Sequence, residues 1–151
     1  MDRLDRLWEL EQIKRLKSRY YRLQDQNRWH DWSQLFTEDC EVADPRDPAV
    51  TLHGPQAVAE RTAAVVLSAG APNRAHRGTM PDLEIIDEQT ARGTWALHCA
   101  STFDKPGAPD FALTYGYYTD EYRKGADGQW RISRMRYEND TTVMPKSPIR
   151  K

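Results

Sequence analysis

The hydrophobic pattern is strongest near the N-terminus. Apolar residues recur there at steps of three and four. This spacing predicts a helix with one apolar stripe, formed by Ile13, Leu16, Tyr20 and Leu23. The opposite side carries basic residues: Lys14, Arg15, Lys17 and Arg19. Residues 2–12 continue the helical pattern, so we predict an amphipathic surface helix that extends to about Asn27.

A second, shorter helical period follows this helix. It is formed by Trp29, Trp32, Leu35 and Phe36 and predicts a helix of about two turns. Asp25 lies between the two helices, where a carboxylate has no packing role. Asp25 is therefore the first candidate for chemistry.

Most of the remaining chain shows the period-two alternation of strands. A third helix is the exception, opened by Gly54-Pro55 and ended by Gly70. The predicted strands are 40–43, 50–52, 74–79, 83–86, 91–103, 111–123 and 129–137. Pro81 interrupts the extended stretch after residue 79, and residues 125–128 form a hairpin turn between the last two strands. We expect the tail, residues 141–151, to be irregular.

Helices followed by long antiparallel strands predict an α+β domain with the helices on one face of the sheet. A strongly curved sheet closed by helices makes a cone with an internal pocket. At 151 residues, one domain spanning 1–151 is expected.

Charge and cysteine content exclude several classes. The 22 basic and 23 acidic residues nearly balance, which argues against a nucleic-acid partner. No apolar run is long enough for a membrane span, and the charged N-terminus does not resemble a secretory signal. Cys40 and Cys99 are typical of reduced core thiols, so a cytoplasmic protein is expected.

Several strings carry a family resemblance: IKRLKSRYYRLQDQNRWHDWSQLFTED, an isolated histidine after the third helix, GTWAL, YYTDEY and DGQWRI. Over roughly residues 10–140 the chain resembles the SnoaL-like branch of the nuclear transport factor 2-like (NTF2-like) superfamily. Within it, the chain most resembles the bile acid 7α-dehydratases and, more distantly, the scytalone dehydratases and hexachlorocyclohexane dehydrochlorinases. The resemblance implies a cone fold and a cofactor-free lyase, commonly assembled as a homo-trimer or homo-dimer.

The resemblance also implies catalytic roles for Tyr20, Asp25 and His76. The histidine is the base in such dehydratases, the aspartate orients it, and the tyrosine hydroxyl assists the carbonyl or the leaving group. A neutral imidazole with a pKa near 6.5 can take a proton from carbon at neutral pH. On a helix, Tyr20 and Asp25 lie about 140° apart, so they share a pocket only if it wraps the helix end or the helix loosens.

Each of the three residues also has a structural interpretation. Tyr20 can be a core residue of the amphipathic helix. Asp25 can cap the helix that begins near Trp29. His76 in a predicted strand can be structural. Their joint occurrence at positions that match the family favours the functional interpretation.

The chain departs from the bile acid dehydratase pattern at two positions. Cys99, with His98 beside it, stands where those enzymes have a second pocket aspartate, and Asn139 stands where they have an arginine. Strand alternation allows only one of His98 and Cys99 to face the pocket, and leaves open which. We take both, with Asn139 and Tyr117, as candidate substrate-binding residues.

The preferred hypothesis is a cofactor-independent dehydratase acting on a small, apolar, hydroxylated carbonyl compound such as a steroid, polyketide or aromatic metabolite. An isomerase or cyclase can use the same residues, and a non-catalytic ligand-binding domain is the alternative from another class. The four histidines have no HxH or HExxH spacing, so no metal site is expected.

Overall fold

A computed structural model describes residues 1–144, apart from the side chains of residues 139 and 140. Its elements are α1 (Arg3–Asp25), α2 (Trp29–Ser33), β1 (Phe36–Ala43), β2 (Thr51–His53), α3 (Pro55–Ala69), β3 (Asn73–Ile85), β4 (Thr90–Thr102), β5 (Phe111–Lys124) and β6 (Trp130–Val143). Within these residues the strands form one curved, unclosed sheet in the order β2-β1-β6-β5-β4-β3. All neighbouring strands are antiparallel except β1 and β6, which confirms the predicted α+β class.

Helix α1 is one continuous helix whose buried stripe matches the prediction. Asp2 and Asp5 form a capping box at its start, in which each side chain accepts a hydrogen bond from the other residue's backbone N–H. The assignment of Lys17 to the polar side is wrong, because Lys17 is fully buried. Lys17 follows Ile13 by four residues and precedes Tyr20 by three, so it lies on the apolar stripe itself.

A buried polar network connects α1 to the sheet through Lys17. The Lys17 ammonium donates to Asp120 Oδ2 at 2.6 Å, and the Tyr122 hydroxyl donates to the same oxygen at 2.7 Å. Trp95 Nε1 donates in turn to Tyr122 at 2.8 Å. The ammonium also lies 4.2 Å from the ring centroid of Tyr118, a cation–π contact. Burial lowers the pKa of Lys17, and Asp120 offsets part of that effect.

Aromatic rings fill the space between α1 and the sheet. The Tyr20 ring lies 5.2 Å from Trp32, 6.1 Å from Phe36 and 6.0 Å from Tyr118 between centroids. Such tilted and edge-to-face pairs add to the stabilisation from apolar burial.

Among the described residues, no helix combines the length and apolar character that crossing a membrane requires.

The predicted ends are wrong for the second helix and right for the third. The predicted second helix is too long, because α2 ends at Ser33 and Phe36 already begins β1, paired with Ile132 of β6. Pairing with a strand far along the chain overrides the local helical period at Phe36. The third helix is confirmed as Pro55–Ala69, with Gly70 capping it at φ 63°.

Two strand predictions are also corrected. Pro81 does not end a strand, because β3 continues through it with a register shift between Thr79 and Asp82 and a positive φ at Met80. An edge strand tolerates proline in this way, since one side of its backbone has no ladder partner. The last strand continues to Val143 through pairing with β5, whereas residues 145–151 lie outside the described residues.

The network at Lys17 predicts a large effect on stability. Replacing Lys17 with Met keeps the side-chain length but leaves the Asp120 carboxylate buried without its cation. We expect the free energy of unfolding to fall by about 3 to 5 kcal/mol, the usual result of removing one partner of a buried ion pair. Urea titration followed by tryptophan fluorescence measures the change.

Arg15 provides the matched control on the same helix. Its ion pair with Glu11 is 3.2 Å long, and both side chains are about half exposed. Arg15→Met should therefore change the free energy of unfolding by less than about 1 kcal/mol. Equal effects of Lys17→Met and Arg15→Met would show that the buried network contributes nothing special to the fold.

Candidate active site

A cleft of about 520 Å³ opens between α1 and the edge strand β3. Its inner wall is formed by Tyr21, Asp25, His76, Gly78 and Trp95. Basic side chains border it on the outside: Lys14, Arg22 and Arg77. The cleft therefore combines a partly buried acid–base pair with a cationic rim.

Asp25 and His76 make the central contact of this cleft. Asp25 Oδ1 lies 2.5 Å from Nδ1 of the His76 ring, and the two side chains are 17% and 10% exposed. The backbone N–H of His76 also donates to both carboxylate oxygens, at 3.0 and 3.2 Å. β3 lies at the sheet edge, so this N–H faces away from β4 and the carboxylate satisfies it. Asp25 thus fixes both the strand, through its backbone N–H, and the ring, through Nδ1.

Arg74 holds the end of α1 against β3. Its guanidinium donates to the backbone oxygens of Gln24 and Ala71, at 2.6 and 2.7 Å, and to Asn27 Oδ1 at 2.7 Å. Carbonyls in the last turn of a helix have no partner within it, and a basic side chain stabilises them. Asn27 then turns the chain with φ 56°. These contacts hold Asp25 in place.

The histidine has an unusual affinity for its proton. Burial of the ring lowers the pKa of His76, but hydrogen bonds to Asp25 and Cys99 and the nearby negative charge outweigh burial and raise the pKa to about 9. The ring is therefore mainly protonated at pH 7. This differs from the neutral imidazole expected from the sequence, because that expectation used the unperturbed pKa.

Tyr21, rather than Tyr20, lines this cleft. Tyr20 is fully buried in the aromatic core and does not line this cleft, while its catalytic role stays a prediction. On an α-helix, residues four apart differ by only about 40° in direction, which puts Tyr21 on the side of Asp25. The Tyr21 ring is nearly parallel to the His76 ring, with 6.3 Å between the ring centroids and 14° between the ring planes. Helical spacing from Asp25 was the signal that could have identified it.

Glycine at position 78 allows Tyr21 to reach this place. A Cβ atom at Gly78 would lie 2.3 Å from the Tyr21 hydroxyl, too close for any side chain there. That hydroxyl is buried and has no hydrogen-bond partner among the described residues. Burial raises the pKa of Tyr21, so its O–H stays a donor near neutral pH.

The structure decides between His98 and Cys99. Trp95, Leu97 and Cys99 are buried on the inner face of β4, whereas His98 is exposed on the outer face. His98 therefore lies away from this cleft, and its role in substrate binding stays a prediction. Cys99 pairs in register with His76, and its sulfur lies 3.6 Å from the Ser101 hydroxyl oxygen.

Of the two remaining predicted substrate-binding residues, only Tyr117 has a described side chain. Tyr117 is 47% exposed on the outer face of β5, away from the cleft, because alternation places Tyr118 inside. Asn139 lies in β6, and its side chain is outside the described residues. Among the side chains that are described, no three Asp, Glu, His or Cys residues are grouped as metal ligands.

Solved structures show where this architecture occurs. A scytalone dehydratase-like protein from Novosphingobium aromaticivorans is 22% identical and superposes with a TM-score of 0.78, covering 96% of this chain and 95% of that chain. The hexachlorocyclohexane dehydrochlorinase LinA-type3 from Novosphingobium barchaimii is 23% identical, with a TM-score of 0.76 and coverage of 97% and 100%. The protein Rv3472 from Mycobacterium tuberculosis, of unknown function, is 26% identical, with a TM-score of 0.75 and coverage of 93% and 77%.

These similarities establish the NTF2-like cone fold. The sequence adds an independent result, because the family model for the SnoaL-like domain matches residues 5–136, most of the chain. This protein belongs to the SnoaL-like domain family.

Proposed function

We propose that this protein is a cofactor-independent lyase that eliminates water from a small hydroxylated carbonyl compound. The contact of 2.5 Å between Asp25 and His76, at the wall of a cleft that also presents Tyr21, carries the proposal. Membership in the SnoaL-like family and the dehydratase and dehydrochlorinase neighbours support an enzyme of the lyase or isomerase kind.

His76 serves as the base in this proposal. Its Nε2 takes the proton from the carbon next to the carbonyl, and the released electron pair forms the new double bond. The β-hydroxyl leaves with the proton that Nε2 returns to it, so water is released. Asp25 holds the ring by Nδ1 and stabilises the imidazolium that results. A pKa of about 9 makes His76 a stronger base than ordinary histidine, while only a small fraction of it is neutral at pH 7.

Tyr21 supplies the electrophilic assistance. Its buried hydroxyl can donate a hydrogen bond to the substrate carbonyl, on which negative charge develops as the proton leaves. Trp95 forms an apolar wall and is held by its hydrogen bond to Tyr122. The cationic rim suits a substrate that carries a negative group beside its apolar body.

Replacing His76 with Ala tests the base directly. We expect kcat to fall by at least about 10²-fold, because no other group near the cleft replaces Nε2. The assay uses a panel of neutral and carboxylated β-hydroxy ketones and follows the absorbance of the conjugated product. His53→Gln, at an exposed position on β2, is the matched histidine control.

The product mass separates the two enzyme chemistries. Elimination removes the mass of one water, whereas isomerisation or cyclisation conserves the mass of the substrate. A product of unchanged mass would assign the site to an isomerase or cyclase. Full activity of His76→Ala would contradict the role of His76 in either reaction.

The raised pKa of His76 predicts the pH dependence. Only the neutral imidazole accepts a proton, so kcat/KM should rise about tenfold per pH unit from about pH 7 and level off above about 9. Asp25→Asn removes the negative charge that favours the imidazolium, and should move the midpoint down toward about 6.5. A profile that is flat between pH 7 and 9 would exclude His76 as the base.

The two adjacent tyrosines predict different phenotypes. Tyr21→Phe removes the donor at the cleft, and we expect kcat to fall by about 10²-fold with little change in stability. Tyr20→Phe removes a hydroxyl from the aromatic core and should affect unfolding more than turnover. Steady-state kinetics and urea titration of both variants decide between them; a larger loss of kcat in Tyr20→Phe would restore the assignment made from the sequence.

We also propose the finer expectations that the resemblance implies. The partner is a small molecule, the location is the cytoplasm, and the assembly is a homo-trimer or homo-dimer. The outer face of β5 supports assembly, since it exposes apolar and aromatic side chains: Phe111, Leu113, Tyr115 and Tyr117.

A further inference from the structure

Three titratable side chains, Asp25, His76 and Cys99, form a row where the end of α1 meets the inner face of the sheet edge. Asp25 contacts Nδ1 of His76 at 2.5 Å, and His76 is paired in register with Cys99 on β4. Residues directly opposite each other in an antiparallel pair bring their side chains together on one face. Cys99 is buried on the same face as His76, and the imidazole lowers the pKa of the Cys99 thiol. An acid, an imidazole and a thiol in this order form the arrangement that activates a cysteine nucleophile.

We propose that Cys99 is a nucleophilic thiol that adds to small α,β-unsaturated carbonyl compounds which enter the cleft. The mechanism described above makes no use of the sulfur. The chemical class follows from the nucleophile, because thiolates react preferentially with soft carbon electrophiles such as conjugated alkenes.

The electrostatic setting supports a reactive sulfur. Burial raises the pKa of the Cys99 thiol, but the hydrogen bond to His76 and the imidazolium charge outweigh burial and lower it. The other cysteine provides the contrast, since burial raises the pKa of Cys40 to about 11. Relative to an ordinary thiol, the pKa of Cys99 is therefore lowered and the pKa of Cys40 is raised.

The other charged and titratable groups around Cys99 are few. Asp25 is negative and opposes the thiolate, whereas Arg74 on β3 is positive and favours it. Arg77 lies 3.8 Å from Asp25 and reduces its effect. Tyr118 is buried on the neighbouring strand β5, and burial raises the pKa of its hydroxyl, so it stays neutral. Two positive groups, the imidazolium of His76 and the guanidinium of Arg74, therefore favour the thiolate, and one carboxylate, that of Asp25, opposes it.

The addition balances without any further reactant. In the reactive thiolate–imidazolium pair the thiol proton resides on Nε2 of His76, and the thiolate sulfur forms a bond to the β-carbon of the electrophile. The alkene electron pair moves toward the carbonyl as an enolate, and the imidazolium then returns the proton to the α-carbon. The net change is addition of S–H across the carbon–carbon double bond.

Access limits the size of the electrophile. Cys99 is 7% exposed and lies next to His76, which lines the cleft. A small probe such as methyl vinyl ketone is therefore suitable. The dehydration proposed above would yield a product with the same conjugated group, so capture of product at Cys99 rests on that function, whereas labelling by the probe does not.

The experiment measures labelling of the folded protein by methyl vinyl ketone. Intact mass and peptide mapping over time give separate rates for Cys99 and Cys40. We expect Cys99 to react at least about tenfold faster than Cys40 at neutral pH. Cys99→Ser should lose the fast label, and Cys40→Ser should keep it.

His76→Asn and Asp25→Asn test the row itself. We expect the rate at Cys99 to fall about tenfold or more in His76→Asn, and by a smaller factor in Asp25→Asn. Cys40 serves as an internal sensor of unfolding, because a variant that unfolds exposes it and accelerates its labelling. Circular dichroism provides a second check of the fold.

Two results would overturn the proposal. One is a failure of Cys99 to react faster than Cys40 in the folded protein. The other is fast labelling of Cys99 that persists in a folded His76→Asn variant. That result would show that the thiol is accessible but is not activated by His76. Neither result depends on whether the protein eliminates water, so this proposal and the proposed function can fail separately.

Discussion

A buried ammonium–carboxylate contact between Lys17 and Asp120 determines how α1 lies on the sheet. Burial of two charges is costly unless they are paired and hydrogen-bonded, so the helix cannot rotate without losing that compensation. Tyr21 and Asp25 follow Lys17 at intervals of four residues and lie along nearly the same side of the helix. The rotation that buries Lys17 therefore also directs these two side chains toward the cleft.

The site forms where a helix end meets the edge of a sheet. An edge strand exposes backbone N–H groups that need a partner, and β3 receives one from the Asp25 carboxylate. The same carboxylate contacts the imidazole of His76, so one side chain serves both the fold and the electrostatics of the site. A structural need of the sheet edge thus accounts for a carboxylate that also perturbs the histidine.

The two proposed reactions share His76 but require different protonation states. Elimination needs a neutral ring that accepts a proton from carbon, whereas activation of Cys99 places the thiol proton on the ring. Asp25 favours the imidazolium in both cases and, together with Cys99, raises the pKa of His76 to about 9. The balance between the two reactions depends on which group, substrate or thiol, occupies Nε2, and this makes the chemistry of the site sensitive to pH.

Local periodicity determined much of this protein by itself: the buried stripe of α1, the helix between Pro55 and Gly70, and the succession of strands. The family resemblance brought Asp25 and His76 together as candidates, and they are in contact, while their catalytic role is a proposal. Only the tertiary structure decided that Lys17 is buried and that Tyr21 faces the cleft. The physical reason is that periodicity states which residues share a face, whereas packing against distant segments decides what that face meets.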